Sequence, residues 1–177
     1  MKKFSVKSLV ATALLWALLI GVQQFRGISQ FITGPLVNAI LIVAAIWVGK
    51  YSGLAIAFLS PLFALLIMPG PLMQALPMLV PIIGLGNAAL VMCAYFFKKK
   101  SLPVFGAGLL LGSVLKALIL WVGVVFFVFP IFGADVPPPM IAAGTAMFSW
   151  NQLITAAIGS AIVLIIYPVL NKALRTS

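Results

Sequence analysis

Residues 103–129 read PVFGAGLLLGSVLKALILWVGVVFFVF, and this stretch decides the fold. It is apolar for longer than the roughly 20 residues a helix needs to cross a bilayer. One charge interrupts it, Lys116. A cation at the centre of a membrane helix costs about 2.5–3.5 kcal/mol on insertion scales, so such a residue faces the bundle interior or a polar cavity. Lys116 is therefore a candidate for a ligand site or for structural pairing. The plain alternative is a lysine satisfied by backbone carbonyls or water.

The rest of the chain has the same character. Hydrophobic residues make up 64% and charged residues 7%, and the mean hydropathy is +1.29. A soluble domain of ordinary composition is excluded. At 177 residues the chain holds about six spans of roughly 20 residues. We expect an all-α integral membrane protein, one six-helix domain over residues 1–177. Apolar runs and punctuation put the spans at 6–22, 35–49, 52–68, 74–97, 103–129 and 147–170. Pro35 suits a first helical turn. Pro69-Gly70-Pro71 reads as a turn, and Pro137-Pro138-Pro139 with Asp135 as a loop.

The net charge of +10 is distributed as a membrane protein distributes it, beside the spans, and does not signal nucleic acid. With the N-terminus inside, Lys2, Lys3, Lys7, Lys50, Lys98, Lys99, Lys100, Lys172 and Arg175 fall on the cytoplasmic side. Arg26 falls opposite. Nine against one is a strong positive-inside bias, so both termini are expected to be cytoplasmic. The opening Met1-Lys2-Lys3 with the apolar run 9–20 looks like a secretory signal. Residues 21–24 offer no small-x-small cleavage site, and we read a retained first helix.

Several chemistries lack their residues. The chain has no histidine and one acidic residue, Asp135. An intramembrane metalloprotease needs His and Glu ligands, an aspartyl protease needs two aspartates, and proton coupling normally needs a titratable group within the spans. No G-x-x-x-x-G-K-[ST] loop occurs; the glycine-rich run 106–116 lies in a span. No metal or other cofactor is expected, and any ATP hydrolysis would belong to partner subunits. Cys93, inside an apolar stretch, reads as a small buried side chain.

The polar residues of the spans are Asn38, Gln74, Asn87, Asn151 and Gln152, with Trp121 and Trp150 beside them. Amides offer paired donors and acceptors to an organic ligand; each alone also reads as interhelical glue. Pro77 and Pro81 should kink the fourth span, freeing carbonyls that membrane depth tolerates only in a protein interior or cavity. Small residues recur at four-residue spacing: Ala13 with Ala17, Gly108 with Gly112, Ala157 with Ala161. Internal helix packing is the default reading of all three pairs.

Gly34-Pro35-Leu36-Val37-Asn38-Ala39, Ser60-Pro61-Leu62, Pro81 through Gly86-Asn87, Lys116-Ala117-Leu118 and Trp150-Asn151-Gln152-Leu153-Ile154 together resemble the substrate-binding S component of energy-coupling factor (ECF) vitamin transporters. The resemblance covers essentially the whole chain. It implies a six-helix protein of the bacterial cytoplasmic membrane that binds one micronutrient from outside. It also implies docking on a transmembrane coupling subunit that carries two ATPases. The family's A-x-x-x-A docking motif on helix one is matched by Ala13 and Ala17. The resemblance further implies a ligand pocket towards the outer side, built by helices four to six and closed by the loops at 23–33 and 69–73.

Lys116 with the amides and tryptophans suits a neutral or anionic organic ligand: the lysine would pair with a carboxylate or phosphate, and Trp121 or Trp150 would stack on a ring. A cationic ligand or a metal substrate fits less well. Two other classes remain: an autonomous transporter or facilitator, and a non-transport membrane scaffold.

Overall fold

The computed structural model describes residues 5–27, 29–67 and 69–175, and the side chains at 26, 27, 170 and 173–175 are not described. Expectations resting on Met1, Lys2, Lys3 and Met68, and on the side chains of Arg26, Leu170 and Arg175, lie outside the described residues. Among the described residues, six helical stretches are long and apolar enough to cross a membrane: Val6–Gln23, Gln30–Val48, Lys50–Ile67, Leu79–Phe97, Leu102–Phe132 and Pro138–Val169. The described residues contain no strand.

Helix α1 is Val6–Gln23, α2 is Gln30–Val43 and α3 is Lys50–Ile67. A short α4, Pro71–Ala75, precedes α5, Leu79–Phe97. Helix α6, Leu102–Leu120, continues through a π-helical stretch, Trp121–Val128, into α7, Phe129–Phe132. Helix α8, Pro138–Met147, leads into α9, Trp150–Arg175. Packing runs in a ring, α1 on α3, α3 on α5, α5 on α6, α6 on α9, α9 on α2 and α2 on α1, and α2 also touches α5. Of the six, the α2 stretch is the most enclosed and α1 the least.

Glycine lets these helices meet closely. A Cβ at Gly34 or Gly159 would strike Thr155 or the Pro35 carbonyl, so α2 and α9 touch backbone to backbone. Gly108 lies against Phe97 and Gly112 against Cys93 and Leu90, which makes that pair an internal α5–α6 contact, as the default reading held. On α9 the close approach is made by Gly159. Ala157 is half-buried and Ala161 exposed, so the expected pairing of those alanines is not the packing face.

Four boundaries differ from the sequence reading, each for a local reason. Helix α2 begins five residues before Pro35, because the Ser29 hydroxyl accepts from the Phe31 amide and caps it there. Pro35 is then an interior proline. The fourth span breaks at Pro77 where a kink was expected: Leu76 before it is pushed out of the helical region, and α5 starts at Leu79 with Pro81 in its first turn. Gln74 consequently sits on α4, outside α5. The triple proline is not all loop, since Pro138 opens α8. Finally, Gly49 alone reverses the chain between the second and third spans. Its φ of 139° is open to glycine, and Lys50 and Tyr51 already belong to α3.

The start of α1 and the end of α9 lie at one end of the bundle. Thr12 Oγ1 near the start of α1 donates to Ser52 Oγ near the start of α3, at 2.8 Å. Lys98 Nζ at the end of α5 donates to the Ala45 and Ile46 carbonyls at the end of the second span, 3.4 and 3.1 Å away. Tyr167 near the end of α9 donates its hydroxyl proton to the Lys98 carbonyl. Lys7, Lys50, Lys98, Lys99, Lys100 and Lys172 therefore share this end.

Candidate functional site

Two apolar clusters occupy the bundle. One, towards the basic end, contains Leu41, Ile42, Ile56, Leu90, Val91, Phe105, Leu109 and Val163. The other contains Leu76, Leu79, Leu120, Val124, Phe129 and Phe148. Between them, on every helix that contributes to both, lie the buried polar residues. On α5 the apolar residues Leu79 and Leu90 bracket Asn87; on α6, Leu109 and Leu120 bracket Ser113 and Lys116; from the end of α8 into α9, Phe148 and Val163 bracket Thr155 and Ser160. The result is a polar layer across the interior.

Lys116 is 4% exposed and reaches α2, where its Nζ donates to Asn38 Oδ1 at 2.5 Å. Its stem passes over Gly86, whose missing side chain leaves the room: a Cβ there would lie 3.4 Å from Lys116 Cγ. The next residue, Asn87, turns to α3, donating from Nδ2 to the Ala57 carbonyl at 3.2 Å and to Ser60 Oγ at 3.5 Å. Asn87 Oδ1 is buried and has no hydrogen-bond partner. A buried acceptor left without a donor carries its full desolvation cost, of order 1–3 kcal/mol. Ser113 and Ser160 share a buried hydrogen bond of 3.1 Å between α6 and α9, and Thr155 Oγ1 donates to the Asn151 carbonyl at 2.8 Å.

Asn38, Asn87 and Lys116 are thus brought into one layer, on α2, α5 and α6. Asn151 and Gln152 are half-buried on the first turn of α9. Trp150 beside them is 75% exposed, and Trp121 points outward with its ring edge-on to Phe126. Gln74 is exposed and donates to the Pro69 carbonyl at 3.1 Å. These three lie outside the buried layer. The sequence reading passed over Ser113, Thr155 and Ser160 and gave Ser60 no role, because a hydroxyl in an apolar run carries no periodicity of its own. For Ser113 and Ser160 the signal is the glycine beside each, Gly112 and Gly159, which marks a buried face.

Chemically, the layer offers one cation with spare donors, one unpaired acceptor and several hydroxyls. No cluster of metal-ligating side chains exists among the described residues. The exposed surface of α1 carries Val6, Val10, Ala13, Leu14, Ala17, Leu18 and Gly21, with Leu15 and Leu19 turned inward.

Neither a curated protein nor a solved structure matches the chain. A family model does: that described as "ECF transporter, substrate-specific component" matches residues 7–171, so the chain belongs to the family of substrate-specific components of ECF transporters.

Proposed function

We propose that the chain captures a small organic micronutrient of the vitamin type in its polar layer and delivers it inward with the help of a coupling subunit and two ATPases. The observation that carries this reading is the buried layer of Lys116, Asn38 and Asn87, enclosed between two apolar clusters. Polar groups inside a membrane bundle are costly and mark substrate paths more often than stability. Family membership supports the division of labour, with binding in this chain and ATP hydrolysis in its partners. The shared basic end supports cytoplasmic termini in a bacterial plasma membrane, by the positive-inside bias. The exposed Ala13 and Ala17 support α1 as the docking face.

The test is reconstitution. The purified chain is denatured and any released compound is identified by mass spectrometry with its molar ratio. Proteoliposomes with and without the ATPase subunits are then assayed for ATP-driven uptake of that compound. Equimolar release and strictly ATP-dependent uptake support the proposal. Uptake without ATPases would favour an autonomous facilitator, and no release with no uptake a scaffold.

A further inference from the structure

We propose that the substrate is a monoanionic carboxylate that also carries a neutral N–H or O–H donor, with the carboxylate held by Lys116 and the donor by Asn87 Oδ1. The proposal rests on the polar layer being the substrate site, and it adds the chemical class.

The first observation is charge. Lys116 is buried, and its Nζ has one hydrogen bond, to the neutral Asn38. Asp135 is the only acidic residue in the chain. It follows α7, whose end lies 16 residues beyond Lys116 along a continuous helical run, on the order of 20 Å away. Among the described residues there is therefore no counter-anion within reach of Lys116. A buried ammonium is costly without a counter-charge, and an anion bound there would supply it.

The second observation is independent. Asn87 Oδ1 is a buried acceptor without a donor, while the Nδ2 of the same side chain is fixed by Ala57 and Ser60. Rotating the amide would set its oxygen against the Ala57 carbonyl, so the orphan cannot be removed by exchanging the two atoms. Asn87 follows Gly86, over which the Lys116 stem passes, so both features belong to the same layer. One lysine, without arginine or a second lysine among the described buried residues, matches a single negative charge. A phosphate monoester carries about −1.5 to −2 at pH 7 and would be left under-neutralised.

The experiment uses the full-length chain in nanodiscs and matched probes. The acids are pantothenate, biotin and 4-aminobenzoate, each carrying an N–H or O–H donor. Their neutral counterparts are panthenol, biotinamide and 4-aminobenzamide, and 4′-phosphopanthenol, a phosphate monoester without a carboxylate, is the phosphate control. Affinities are read by calorimetry, with Tm as a second measure. We expect at least one acid to bind about 10- to 150-fold more tightly than its neutral partner, the range of a charge-assisted hydrogen bond. Lys116→Met should erase that ratio with little change for the neutral compound. Asn87→Leu should weaken acid and neutral compound alike.

Neutral compounds binding as well as the acids overturns the proposal; if Asn87→Leu or Asn38→Leu still weakens them, the layer survives as the site. An acid that binds unaffected by all three substitutions overturns both. No binding by any acid also overturns the proposal, and the reconstitution assay then judges the transport reading by itself. Should Lys116→Met fail to fold, the acid-to-neutral ratio of the unmodified chain decides.

Discussion

Lys116 Nζ and Asn38 Oδ1 meet at 2.5 Å across 78 residues of sequence and join α6 to α2 inside the bundle. The pair is asymmetric: one partner is charged and the other neutral. Removing Asn38 leaves a buried ammonium with nothing to solvate it, whereas removing Lys116 leaves only a neutral carbonyl. Asn38→Leu should therefore destabilise the chain by about 1.5–3 kcal/mol. Lys116→Met should be neutral or stabilising, because it also removes an intramembrane charge. The double variant should recover most of what Asn38→Leu loses. Thermal unfolding of the four proteins in one detergent checks the order; equal losses from both single changes would contradict it.

The glycines make a second contrast. A Cβ at Gly159 would lie 2.6 Å from the Pro35 carbonyl oxygen and 2.8 Å from Asn38 Cβ, so backbone must move. At Gly21 the same atom meets nothing within 4 Å. Gly159→Ala should cost about 1–3 kcal/mol through overpacking of α2 against α9. Gly21→Ala should stabilise the isolated chain by about 0.5–1 kcal/mol through the entropy of the helix interior. Unfolding midpoints of the two variants give the signs directly.

Much of this architecture was legible in the sequence because a membrane helix declares itself by length and apolarity. The interior of the first, third, fourth and fifth spans coincides with α1, α3, α5 and α6, and Lys116 is buried as its cost demanded. The ends were less legible. Pro35 looked like a helix start, but the cap that sets the start is Ser29, and a hydroxyl gives a weaker signal than a proline. Pro77 and Pro81 looked alike, yet one ends a helix and the other opens the next. Within the layer, Lys116 and the amides Asn38 and Asn87 stood out by type. Ser113, Thr155 and Ser160 did not, since their burial is set by which helix face meets a neighbour.

The basic end is tied by Lys98. Its ammonium serves the Ala45 and Ile46 carbonyls, which the reversal at Gly49 leaves short of helical partners, and it lies 4.4 Å from the Tyr95 ring centroid. Tyr167 donates to its backbone carbonyl, which brings α9 into the same knot. Lys98→Met leaves the carbonyls unserved and should cost about 1–3 kcal/mol. Tyr167→Phe removes one hydrogen bond, about 0.5–1.5 kcal/mol. Because both lie beyond the polar layer, ligand affinity at saturating folded protein should change less than twofold in either. A large affinity loss in Tyr167→Phe would mean that the basic end and the layer move together.

Ala13 and Ala17 sit one turn apart on the exposed side of α1, while Leu15 and Leu19 hold the opposite side against the bundle. Small side chains at four-residue spacing let a partner helix approach closely, and a tryptophan there holds it away. Both alanines are exposed in the isolated chain. Ala13→Trp and Ala17→Trp should therefore keep the Tm and the ligand affinity of the isolated chain. In proteoliposomes with the coupling subunit and ATPases, they should abolish uptake and co-purification with the coupling subunit. Parallel measurement of binding, co-purification and transport separates the cases. If affinity falls together with uptake, α1 belongs to the ligand site and the docking face lies elsewhere on the bundle.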